Sequence, residues 1–187
     1  MTRYFVDTEF IEDGNTIDLL SLGIVAEDGR DNYWQSIECH RDRANDWVKA
    51  NVLPQLEHIG CGRDKTSTFY SPCGGPDIPS CSWRPRWAIV SELLHFCDAE
   101  QHGPPEFWGY YADYDWVAIC QLFGRMIDLP KTWPMYCRDI KQWCDELGNP
   151  KLPPQTGEHH ALADAQWNRA AWQFLHDLAA RPTPLHV

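Results

Sequence analysis

Apolar and polar positions at the start of the chain follow a strand pattern. Tyr4 to Glu9 is rich in β-formers, Glu12-Asp13-Gly14-Asn15 is a turn cluster, and Ile17 to Ala26 is largely apolar. Glu27-Asp28-Gly29-Arg30 then precedes a third β-forming run, Asn32 to Ile37. Turns this short join antiparallel neighbours. Asn45 or Asp46 can cap a short helix carrying Trp47, Val48 and Val52, which Pro54 stops. Residues 60–85 are rich in Gly, Pro, Ser and Cys and show no sustained period, so they read as a long loop. Trp87 to Glu100 carries a helical stripe through Ile89, Val90, Leu93, Leu94 and Cys97. Glu106 to Tyr111 reads as a buried strand, and Asp115 to Met126 as a helix with Val117, Ile119, Cys120 and Phe123 inward. Pro134 to Cys137 reads as a short extended piece. Asp139 can open a helix to Leu147, residues 148–157 form a loop, and a last helix runs over 161–180 with Leu162, Ala171, Phe174, Leu175 and Leu178 on one face. Three strands followed by alternating helices and strands predict an α/β chain, with a mixed central sheet flanked by helices.

Length and composition narrow this picture. At 187 residues and 43% hydrophobic composition, the chain suits one domain over 1–187, with 57–85 a Gly/Pro/Cys-rich insertion. There is no apolar stretch of the roughly 20 residues that span a bilayer, and the start MTRYFVDTEF lacks a secretory pattern, so a soluble, cytoplasmic protein is expected. The eight cysteines are then expected to be reduced, with Cys97, Cys120, Cys137 and Cys144 buried as small apolar residues. Cys61, Cys73 and Cys81, with His58, are a weak zinc candidate, because their spacing is irregular and no CxxC occurs. The net charge of −11 argues against a broad nucleic-acid surface, since phosphate contacts need clustered Lys and Arg. A carboxylate-rich site neutralised by divalent cations escapes that objection.

Such a site is suggested by five residues. Asp7 and Glu9 are one residue apart in an apolar strand, which places both carboxylates on one face. Burial and repulsion raise their pKa unless a cation compensates, so a metal pair is the economical reading and a solvated edge strand the bland one. Asp115 stands where FWGYY gives way to DWVAICQLF; taken alone it reads as a helix N-cap, and Asp113 competes with it for either role. His159 and Asp164 would lie about 140° apart on a continuous helix. They converge only if His159 precedes the helix, which Pro153, Pro154 and Gly157 make feasible. A solvated turn pair for His159-His160 and an acid at a helix terminus for Asp164 are the bland readings.

Together these segments resemble a known family. FVDTEF is similar to the first motif of the DEDD exonuclease superfamily, YYADYDW to the second and HHALADA to the third in its histidine form. GRMIDLPKTWPMYCRDIK adds to a resemblance, along nearly the whole chain, to compact bacterial exoribonucleases related to ribonuclease T and to mycobacterial exoribonuclease AS. The resemblance implies an RNase H-like fold and release of nucleoside 5′-monophosphates from RNA 3′ ends. It implies two Mg²⁺ or Mn²⁺ ions held by Asp7, Glu9, Asp115 and Asp164, with His159 as general base. The sequence departs from the second motif at Tyr114 and Tyr111, where Phe and Asn are more usual, and 61–81 has no counterpart.

Single-stranded nucleic acid is the expected partner, RNA before DNA, and an adenylate-rich preference follows from the resemblance alone. A DNA-trimming or proofreading exonuclease and a catalytically silent binding domain are the alternatives. Phe10, Trp108 and Tyr111 are candidates to stack on terminal bases, against a background of core packing for most aromatics. A homodimer is expected too, because an acidic monomer grips RNA poorly and a partner could supply Arg84, Arg86 or Lys141.

Overall fold

A computed structural model describes residues 1–56 and 82–181. Strands β1 (Thr2–Glu12), β2 (Ile17–Ala26) and β3 (Asp31–Ser36) form an antiparallel meander. The Asp13 carboxylate closes the first turn by accepting from the N–H groups of Asn15 and Thr16 at 2.9 and 2.7 Å. In the second, the Gly29 N–H donates to the Ala26 carbonyl at 3.0 Å. Two short parallel strands extend the sheet at its edges, β4 (Trp83–Arg84) against β3 and β6 (Arg138–Asp139) against β5 (Pro105–Gly109). β5 runs parallel to β1, and the strand order is β4-β3-β2-β1-β5-β6. The mixed sheet flanked by helices agrees with the RNase H-like α/β expectation.

Strand alternation divides the core between two helical layers. Tyr4 and Val6 of β1 join Leu22, Ile24, Trp34 and Phe107 under α2 (Arg86–Phe96) and α4 (Asp113–Phe123). Phe5 and Val25 face the other way, onto α5 (Ile140–Glu146) and α6 (Ala161–Ala179). A third apolar group, Ile11, Leu20, Val48, Val52 and Trp83, seats α1 (Asp46–Asn51) beyond a bulge at Glu9/Phe10. Full burial of a side chain such as Phe5 or Tyr4 stabilises by roughly 1.5–3 kcal/mol. A one-residue slip of β1 would reverse both layers and carry Asp7 and Glu9 to the α4 face, so the packing that fixes the core also fixes the carboxylates.

Several boundaries differ from the sequence expectation. Ser82 to Arg84 lie inside the expected loop, yet Ser82 and Arg84 accept from the N–H groups of Gln35 and Ile37 at 2.9 and 3.0 Å, and Trp83 packs on the α1 group. The zinc candidates Cys61, Cys73, Cys81 and His58 lie outside the described residues. The helix expected to reach Glu100 ends at Phe96, because Asp98 caps a separate turn, α3 (Ala99–His102), by accepting from the Glu100 N–H at 2.9 Å. Helix α4 begins two residues early, at Asp113, and turns Asp115 to the sheet, which leaves Val117 on the opposite side and 44% exposed. Met135 and Tyr136 are bends and Pro134 and Cys137 irregular, with the extended piece displaced to β6. Cys97, Cys120 and Cys144 are buried as expected, whereas Cys137 is only partly so. Asn45 caps α1 and Asp139 caps α5 as expected. No helix among the described residues is long and apolar enough to cross a membrane.

Candidate active site

β1 is the spine of the site. Its alternation places Asp7 and Glu9 on the α6 side, and helix α6 brings Asp164 to them from its first turn. Carboxylate oxygens of Asp7, Glu9 and Asp164 lie within 4.8 Å of one another. Gly23 makes this approach possible. It is the β2 partner of Asp7, and a Cβ there would stand 2.2 Å from the Ala161 carbonyl oxygen at the start of α6. One turn beyond Asp164, the buried Asn168 amide donates to the Val6 carbonyl at 2.9 Å and ties α6 to the strand just before Asp7.

Asp115 arrives from the opposite helix. One of its oxygens, Oδ1, accepts from both the backbone N–H and the hydroxyl of Thr8, at 2.9 and 2.6 Å. Asp115, for which capping is the bland reading, is therefore bonded to β1, while its competitor Asp113 is exposed at the helix start. Ala112 takes the N-cap position, without a side-chain cap, and its N–H donates to Asp139 at 2.8 Å.

Helix α6 starts at Ala161, so His159 precedes it, as convergence with Asp164 requires. His159 adopts a left-handed backbone with φ of 68°, and its N–H donates to Asp164 Oδ2 at 2.9 Å. Its ring meets Trp47 of α1 edge-on, 4.9 Å between centroids. His160 is committed elsewhere: Nδ1 accepts from the Ala163 N–H at 3.4 Å as the α6 cap, and the ring stacks on Tyr33 at 4.6 Å.

The electrostatics are those of acids that want a counter-charge. Burial raises Asp7 well above the ordinary carboxylate range, and Asp115, Asp164 and Glu9 push it further. Glu9 is pushed up to about 8 by burial and then by Asp164 and Asp115. Burial lifts Asp115 to about 6 against the two Thr8 hydrogen bonds, and raises Asp164 against the bonds from Gln155 and His159. Among the described residues, no cation figures in the influences on Asp7 or Glu9, and the donors are all hard oxygens. That set fits divalent cations such as Mg²⁺ or Mn²⁺, which take carboxylate oxygen, better than zinc.

Aromatic side chains stand beside the site residues along the chain. Phe10 stacks on Tyr114, with 5.8 Å between centroids and 13° between planes. Tyr111 is 64% exposed on a left-handed backbone, φ 57°, between β5 and α4. Trp108, the third stacking candidate, is half-buried and lies away from Phe10 and Tyr111. It packs at 5.5 Å on Trp143 and 6.0 Å on Trp172, and its indole donates to Glu106, because its register with Phe5 turns it into the α5/α6 layer. Sequence reasoning also passed over Thr8, Gln155, Trp47 and Asn168, whose roles are contacts that no spacing reveals. Gly23 did carry a signal, since an isolated glycine in an apolar strand marks a close backbone approach.

A mixed sheet whose central strand presents two carboxylates, met by one more from a helix on each face, is consistent with the RNase H-like class of nucleases. The chain belongs to the family of the 3′-5′ exoribonuclease Rv2179c-like domain, whose description matches residues 2–176. It is 41% identical over 165 residues to the 3′-5′ exoribonuclease Rv2179c of Mycobacterium tuberculosis (strain ATCC 25618 / H37Rv), covering 88% of this chain and 87% of that protein. The 3′-5′ exoribonuclease MT2234.1 of strain CDC 1551 / Oshkosh shows the same identity and coverage.

Proposed function

We propose that residues 1–187 act as one DEDDh-type 3′→5′ exoribonuclease domain that hydrolyses single-stranded RNA to nucleoside 5′-monophosphates. The observation that carries this reading is the convergence of Asp7, Glu9 and Asp164 oxygens within 4.8 Å, in a chain belonging to an exoribonuclease family. Two divalent ions, Mg²⁺ or Mn²⁺, would be held by these three residues and Asp115. Bound there, they supply charge neutralisation at the scissile phosphate and a lowered pKa for the attacking water. The residues of the chain do the rest. His159, outside the helix and free of the capping role of His160, takes the proton as the water oxygen attacks phosphorus. The bond from phosphorus to the 3′ oxygen of the penultimate nucleotide breaks, that oxygen takes a proton from solvent to become the new 3′-hydroxyl, and the phosphate stays on the released nucleotide. Phe10 and Tyr111 offer faces on which terminal bases stack without sequence reading.

Matched 5′-labelled RNA and DNA single strands, incubated with Mg²⁺, Mn²⁺ or EDTA, test the proposal. Stepwise shortening of RNA with mononucleotide release, abolished by EDTA and by Asp7→Asn or Asp164→Asn, is expected; unchanged release by either variant overturns the site. Faster shortening of DNA would replace the ribonuclease reading by a DNA-trimming one, and homopolymer RNAs read any adenylate preference. The homodimer gains no support from the cations weighed in the sequence. Arg84 pairs with Glu92 at 2.7 Å, Arg86 donates to the Leu122 carbonyl at 2.8 Å, and Lys141 pairs with Asp145. Light scattering during turnover decides that point.

A further inference from the structure

The Asp164 carboxylate is held at both oxygens by the segment that leads into α6. Gln155, nine residues upstream, donates from Nε2 to Oδ1 at 2.7 Å, and the His159 N–H donates to Oδ2 at 2.9 Å. An ionised carboxylate only accepts, so the amide must present its nitrogen here. The same segment is anchored a second time away from the carboxylates, where the Trp167 indole donates to the Pro153 carbonyl at 3.0 Å. Between these anchors the chain passes through left-handed conformations at Gly157, φ 75°, and His159, φ 68°. For histidine that conformation is strained and persists only where its surroundings hold it. Each carboxylate oxygen has two lone pairs, so an oxygen that accepts from the segment still has one for a cation. Gln155 is also neutral: it fixes the Asp164 rotamer without adding a positive charge that would compete with a bound ion.

We propose that Gln155 is a positioning residue, which orients the Asp164 carboxylate toward Asp7 and Glu9 and, through that shared carboxylate, holds the segment carrying His159. The proposal rests on the reading of Asp7, Glu9 and Asp164 as ion ligands. Outer partners of ligating groups typically contribute 10–100-fold in metal affinity or activity, so about tenfold is expected here.

The test is Mn²⁺ binding to the full chain without RNA, followed by electron paramagnetic resonance and by calorimetry, alongside steady-state kinetics. Gln155→Leu keeps the bulk and removes the donor. It is expected to weaken Mn²⁺ binding about tenfold and to lower kcat at saturating Mn²⁺ by a similar factor, with KM for RNA within about twofold. Trp167→Phe releases the other anchor without touching Asp164, and should bind Mn²⁺ as the wild type does. Gln155→Glu, which sets an acid against Asp164 in nearly the same shape, should weaken Mn²⁺ at least as much as Gln155→Leu and guards against a variant that fails to fold. Wild-type Mn²⁺ affinity in Gln155→Leu, or an equal loss in Trp167→Phe, overturns the proposal while leaving the ligand set standing. If the wild type and Asp164→Asn bind Mn²⁺ alike, the ligand reading fails first and the proposal falls with it.

Discussion

Replacing Gly23 by alanine tests how the site is assembled without touching any group proposed to act in it. The added Cβ would stand 2.2 Å from the Ala161 carbonyl oxygen, 2.4 Å from its carbon and 2.5 Å from the Leu162 nitrogen. Ordinary carbon contacts lie near 3.5 Å, so α6 and β2 must separate by about 1 Å or more at this point. All three atoms are backbone, which means that trimming Ala161 or Leu162 gives no relief. The displaced end of α6 carries Asp164, and His159 leads into it, whereas Asp7 and Glu9 stay on β1. Overpacking of this kind costs about 1–3 kcal/mol of stability. A displacement of about 1 Å at a reacting centre costs on the order of 10²-fold in rate. Gly23→Ala should therefore still fold, with a lowered urea midpoint, and lose about 10²-fold in kcat on single-stranded RNA at saturating Mg²⁺. Wild-type kcat, with or without lost stability, would show that the contact between α6 and β2 does not set the site.

His159→Ala should lose about 10²-fold or more in single-turnover rate while still binding Mn²⁺, because a general base acts in the transition state; loss of ion binding would make it a ligand. His160→Ala removes the α6 cap and the stack on Tyr33, so a loss of about 1 kcal/mol in urea unfolding with a near-normal rate at 25 °C is expected; a large rate loss at His160 with little at His159 would exchange their roles. Thr8→Val removes the hydroxyl from Asp115 but keeps the backbone bond, and should raise the Mg²⁺ concentration needed for half-maximal rate, with Thr8→Ser restoring it; an unchanged Mg²⁺ response would confine Thr8 to packing. Without metal, Asp7, Asp115 and Glu9 all have folded pKa values raised above their unfolded ones, the latter two to about 6 and about 8. Their stabilising contribution is complete below the unfolded carboxylate values and is lost as pH rises through the folded ones. In EDTA, Tm should consequently fall between about pH 5 and 9, Glu9→Gln should flatten the upper part of that fall, and saturating Mg²⁺ should oppose it; a metal-free Tm that rises over this range would refute the electrostatic account.

Sequence reading succeeded where one residue's neighbours along the chain decide its fate. The paired carboxylates of β1 follow from a two-residue repeat, and the separation of His159 from α6 follows from its angle to Asp164 together with Pro153, Pro154 and Gly157. It fell short where the decision is made across the fold. Trp83-Arg84 and Arg138-Asp139 are too short to show a period, and they become strands only because β3 and β5 offer unpaired edges beside them. Asp115 sits near a helix start, where capping is the ordinary role, and its bond to Thr8 on β1 is a contact that spacing alone does not reveal. Trp108 and Trp47 illustrate the same limit from opposite sides. Register with Phe5 sends Trp108 into the layer of Trp143 and Trp172, while α1, seated past the bulge in β1, leaves Trp47 54% exposed against His159. The geometry of the sheet decides which of them meets His159. The contact of Trp47 with His159 accordingly depends on the β1 bulge and the α1 packing, so variants that straighten Glu9/Phe10 should disturb Trp47 before they disturb Asp7.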